Sequence, residues 1–152
     1  MKKLSLVLVL LALSTPAFAQ NYFAEGKFVC GKVDQASVDA FAFAPGVYYS
    51  TLNVGNPNDD RIDGKKIFSV ALLRQKSGRV TDSIQWVLNP RNSMQVDCSD
   101  IYGYLGIAPG TFIDGFVYFI AGRKFSVTGV YTVTDGSRVV SQDVEEVTVE
   151  LR

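Results

Sequence analysis

Turn signals recur along this chain from residue 45 onward, and their spacing leaves room for little except short strands. Pro45-Gly46, Asn56-Pro57, Asn89-Pro90 and Asp135-Gly136 each mark a reversal, the last being a hairpin signal. The runs between them are rich in β-branched and aromatic residues: 47–54 (VYYSTLNV), 66–74, 83–88 (SIQWVL), 93–96, 112–120 and 125–134. A short first strand is predicted at 27–31 (KFVCG), and the apolar stretch 38–44 (VDAFAFA) runs into Pro45. The closing run, 139–151, changes its apolar phase near Glu145-Glu146, which predicts a bulge or a switch between sheets. Seven or eight short strands and no amphipathic helix of useful length predict an all-β fold. Its expected form is an antiparallel, immunoglobulin-like β-sandwich with one short helix; a small β-barrel is the alternative.

One run departs from a half-wet sheet. Phe116, Tyr118 and Ile120 alternate with Val117 and Phe119, so both faces of that strand are apolar. Either the 38–44 stretch covers the outer face, or a subunit or ligand does.

The first 19 residues carry Lys2 and Lys3, an apolar core from Leu4 to Leu13, and Ala17-Phe18-Ala19. That is the three-part pattern of a cleaved secretory signal, too short to span a bilayer. The expected domains are therefore a signal peptide at 1–19 and one β-domain at 20–152, periplasmic or extracellular. Losing two lysines leaves 13 basic against 15 acidic residues, a net of −2 with no basic footprint for nucleic acid. The chain has no histidine, which excludes Ser-His-Asp and Cys-His catalysis and any His-containing metal cage. No metal, cofactor or catalytic set is signalled, and the expectation is a protein that is not an enzyme.

Cys30 and Cys98 are the two cysteines. An even pair in an exported chain predicts one disulfide, with free or intermolecular thiols as the alternative. It would close a loop of about 69 residues and, in the chain-entropy model, stabilise by about 4 kcal/mol. Around Cys98, Asp97 and Asp100 have the spacing of a helix capping box, and Leu105-Gly106 supplies a stop. This predicts a helix of one or two turns with Cys98 in its first turn. A reactive thiol is the competing reading there, because a helix start lowers a thiol pKa, but no C-x-x-C neighbour supports it.

Residues 56–64 (NPNDDRIDG) invite a calcium reading, yet Arg61 occupies the middle ligand position, so a polar hairpin loop is expected. Tyr102, Tyr104, Trp86 and Tyr49 are the candidate contacts for a ligand or partner, the first two as the most exposed because they lie on the short corner. Core packing competes for every one of them.

Taken in order, 28–32 (FVCGK), 45–49 (PGVYY), 52–57 (LNVGNP), 96–101 (VDCSDI), 112–117 (FIDGFV) and 130–133 (VYTV) resemble a group of uncharacterised bacterial exported proteins of one β-domain. That resemblance implies two paired cysteines in one scaffold and carries no catalytic residues. The expected function is non-catalytic: binding a protein partner or self-association at the cell exterior, with a periplasmic carbohydrate- or small-ligand-binding module as the alternative. Fimbrial strand exchange is not expected, because 20–26 (QNYFAEG) lacks the alternating apolar pattern of a donor strand.

Overall fold

A computed structural model of the chain describes residues 21–34, 43–72 and 76–151. It contains β1 (Tyr22–Val33), β2 (Gly46–Gly55), β3 (Ile62–Leu72), β4 (Lys76–Val80), β5 (Ile84–Leu88) and β6 (Ser93–Asp97). A helix, α1 (Cys98–Leu105), follows, then β7 (Ile113–Ala121), β8 (Ser126–Thr134), β9 (Val139–Val147) and β10 (Val149–Leu151). All strand pairs are antiparallel and the sheet does not close on itself, so the fold is all-β and sandwich-like. No helix among the described residues is long and apolar enough to cross a membrane.

One layer runs β3–β7–β1, with β5 and β4 sharing β3 and β10 on β1. The other runs β9–β8–β2, with β6 on β2. Strand β1 belongs to both: residues 22–30 pair with β7, and its last three, Gly31 to Val33, pair with β2. The chain crosses back at its end, where β9 leaves β8 and β10 pairs with β1 after a break at Thr148. This is the sheet switch predicted from the phase change, displaced a few residues toward the C-terminus.

Period-two alternation builds the core. Ala24, Phe28 and Cys30 of β1, Leu52 and Val54 of β2, Phe68 of β3, Val117 and Phe119 of β7 and Val127 of β8 are buried together. The outer face of β7 carries Phe116, Tyr118 and Ile120 half-buried, with Phe23 stacked on Tyr118 at 5.8 Å. The stretch expected to cover that face lies mainly outside the described residues. Its last aromatic, Phe43, packs edge-on against Phe112 and Tyr48.

Two expectations are corrected. The first strand begins at Tyr22, not Lys27, because the mixed segment around Glu25 is held by β7 on one edge and β10 at its start. It is thus an internal strand of its own domain. Strand β4 (KSGRV) has no apolar alternation to reveal it; its hydrogen bonds with β3 form it, and its residues stay largely exposed.

Candidate functional site

Sequence and structure converge at the corner where β1 changes sheets. Gly31 has φ +98°, a conformation open to glycine and costly for other residues. A Cβ there would lie 2.8 Å from the Phe112 Cα and closer still to the Thr111 carbonyl. Just before it, Cys30 is bonded to Cys98, with the Cα atoms 5.7 Å apart. The edge of β2 facing this corner is shared between β1 at residues 46–48 and β6 at 51–55, which leaves Ser50 between the two ladders. Ser50 closes the gap itself. Its hydroxyl donates to the Val29 carbonyl at 2.9 Å and accepts the Val29 N–H at 2.8 Å. Its own N–H is directed at Cys98 Sγ, 3.2 Å away. The disulfide therefore replaces a missing rung of the sheet.

Helix α1 starts from this point as the sequence predicts. Asp97 Oδ1 accepts the N–H groups of Ser99 and Asp100 at 2.8 and 3.1 Å, and Asp100 returns a bond to the Asp97 N–H at 3.1 Å. Gly106, at φ 62°, ends the helix in the left-handed region.

Between the outer face of β2 and this helix lies a groove of about 500 Å³, lined mainly by apolar atoms. Val47, Tyr49 and Thr51 line it from β2, Ser99 and Tyr102 from α1, and Pro109 from the following loop. Tyr49 is 52% exposed and the Tyr102 ring is buried. The hydroxyls of Tyr48 and Tyr102 are committed, donating to the Ala44 and Thr111 carbonyls at 2.6 and 2.8 Å. Burial raises the pKa of both groups; for Tyr102 a backbone hydrogen bond from Gly110 partly offsets it.

Of the four aromatic candidates, Tyr49 and Tyr102 meet at this groove. Tyr102, expected to be exposed, forms part of its buried wall because the helix leans on the loop at Thr111. Tyr104 is exposed but lies elsewhere: it stacks on Phe68 at 5.2 Å, with Lys66 Nζ 5.0 Å from its ring. Lys66 is itself buried, and desolvation lowers its pKa against the weaker pull of Asp100. Trp86 packs into the core on Phe125, 5% exposed, and offers no surface to a ligand. The wall residues Val47, Thr51, Ser99 and Pro109 carried no sequence signal, since they meet only through the topology.

In the 56–64 loop each carboxylate is held by an arginine: Asp59 by Arg91, Asp60 by Arg123, and Asp63 by Arg61. Asn56, buried, donates to the Asp60, Leu88 and Asn89 carbonyls, which ties the loop shut. No group of three or more metal-ligating acids, cysteines or histidines occurs among the described residues.

A second recess, of about 300 Å³, opens where the inner face of β2 and β8 extends past β1. Here Tyr131 lies across Gly129 and reaches Glu145 Oε2 at 3.4 Å. Burial first, then the Glu145 and Asp143 charges, pushes the Tyr131 hydroxyl up to about 12. A group raised in the folded state keeps its stabilising contribution below the unfolded value, near 10, and loses it as pH rises toward 12. Ultraviolet titration is therefore expected to show that the last of the late-ionising tyrosines disappears in Tyr131→Phe. That variant should also lose less stability than the parent across this pH window.

No protein-family model and no curated protein matches this chain. The crystal structure of Thermotoga maritima 1070 is similar in fold, with a TM-score of 0.50, 10% sequence identity, and coverage of 85% of this chain and 91% of that one. The likeness is one of fold alone.

Proposed function

We propose that the chain is an exported, non-catalytic binding module whose ligand seats in the groove between β2 and α1. The observation that carries this reading is the exposed Tyr49 ring at the mouth of a concave, mostly apolar groove fixed by a disulfide. An exposed aromatic ring beside a few polar groups suits a ligand with one apolar and one hydroxyl-bearing face, the character of a sugar ring. With the Tyr48 and Tyr102 hydroxyls engaged, the Thr51 and Ser99 hydroxyls and the Asp97 carboxylate supply the polar contacts along the groove. Asp97 serves the helix cap, and a chain without histidine offers no proton shuttle beside it, which favours binding over catalysis. Export is supported by the leader pattern and by the disulfide.

The test is a glycan array followed by calorimetry on the best ligand. Tyr49→Ala is expected to weaken binding by about tenfold or more, equivalent to about 1.4 kcal/mol, whereas Tyr104→Ala leaves it unchanged. An array without hits, or equal loss from both variants, would overturn the groove assignment. Mass spectrometry of the secreted protein, expected to begin at Gln20, checks the export half.

A further inference from the structure

We propose that Lys66 is a modification site: a buried amine, apart from the groove, that captures small aldehydes as an imine. Along β3 the residues Ile62, Gly64, Lys66, Phe68 and Val70 alternate onto the core-facing side, and Lys66 is 8% exposed. Lysine is rarely buried without a carboxylate paired to it. Here no ion pair or hydrogen bond to its Nζ occurs among the described residues. Asp100 acts on it by charge alone, one of its carboxylate oxygens being taken by the Asp97 N–H at 3.1 Å. What faces the ammonium instead is aromatic. The Phe68 and Tyr104 ring centroids lie 5.9 and 5.0 Å from Nζ, and the two rings stack on each other at 5.2 Å.

Ring faces replace only part of the hydration that an ammonium loses on burial. The neutral amine, which is the nucleophilic form, is therefore more abundant here than at an exposed lysine. Lys65, the next residue, gives the contrast: it points to the opposite, exposed face of the same strand. Nor is the amine sealed in. Trp86 Nε1 is the one side-chain nitrogen or oxygen, among the described residues, that is both enclosed and unpartnered. Lys66 Nζ, also unpartnered, thus keeps an opening to solvent beside Tyr104, whose residue is 46% exposed.

The product selects the class of electrophile. The Nζ lone pair adds to the aldehyde carbon, an amine proton passes to the oxygen, and that oxygen leaves as water, giving the imine. No oxidant or reductant is consumed. Protonated, an imine is a larger and more weakly hydrated cation than an ammonium, so ring faces replace its water at lower cost. The Asp100 charge favours that cation too. An acyl group would instead leave a neutral amide whose N–H and carbonyl find no partner against two rings. The burial of the side chain restricts the aldehyde to a few carbon atoms.

The test treats the processed, disulfide-intact protein with acetaldehyde and cyanoborohydride at neutral pH and maps the alkylated lysines by peptide mass spectrometry. Lys66 is expected to react about tenfold or more faster than Lys65. Tyr104→Ala separates activation from access. Opening the site to water should bring Lys66 down toward the Lys65 rate, whereas a lysine that is merely shielded would speed up. Tyr104→Phe, which keeps the ring, should keep the parent rate. A Lys66 rate at or below that of Lys65 overturns the proposal. So does a rate in Tyr104→Ala that is unchanged or higher, or a Tyr104→Phe variant as slow as Tyr104→Ala. Because Tyr104 lies outside the groove, none of these results depends on the ligand reading above.

Discussion

Replacing both cysteines, Cys30→Ala with Cys98→Ala, is expected to cost about 4 kcal/mol, read as a lower urea midpoint with a steeper slope, since the uncrosslinked unfolded chain exposes more surface. The pair spans 68 positions of sequence, so most of the loss comes from freeing the unfolded chain. The folded state loses something as well. Without Cys98 Sγ, the buried Ser50 N–H in the gap of the β2 edge has no acceptor where it now points. A domain of this size has a total stability of about 5–15 kcal/mol, so the variant should be strongly destabilised, with a melting temperature lower by about 10–20 °C. Reduction should be correspondingly slow in the native protein. Cys98 borders the groove, but Cys30 is 0% exposed, so a thiolate reaching Cys98 would have to expel a buried sulfur anion. A double variant within about 1 kcal/mol of the parent would contradict this account.

Gly31→Ala is expected to cost about 3 kcal/mol or more, from backbone strain at φ +98° and from collision with the Thr111–Phe112 backbone. The obstacle is main chain, which cannot swing aside. Gly136→Ala is the control: its φ is 93°, yet nothing lies within 4 Å of its added Cβ, so it should show the strain alone, about 1 kcal/mol. Equal costs at the two positions would show that the close approach at Gly31 has no energetic weight. Because Gly31 and Cys30 set where β1 leaves one sheet for the other, both variants should also loosen the groove that this crossing shapes.

The features legible in the residues are those held by short-range chemistry. The Asp97–Asp100 capping box is a matter of three-residue spacing, and the Gly106 stop needs one left-handed residue. With two cysteines there is one intramolecular pairing. Strand β4 was invisible because its hydrogen bonds are supplied by β3 and not by its own side chains. Among aromatics, alternation tells which residues share a face but is silent on which face is covered. Trp86 and Tyr49 both sit in strands with good β propensity; one is packed on Phe125 and the other stands in solvent.

Alternation, turn residues, the capping spacing and a lone cysteine pair thus constrain this chain to a cystine-bridged antiparallel β-fold with one short helix, since each acts within a few residues or has a unique partner. The crossing of β1 at Gly31, the meeting of Tyr49 with Tyr102, and the seat of Lys66 against Tyr104 came from the tertiary structure. They depend on contacts between segments tens of residues apart, whose choice rests on the packing of the whole sheet and not on any local preference.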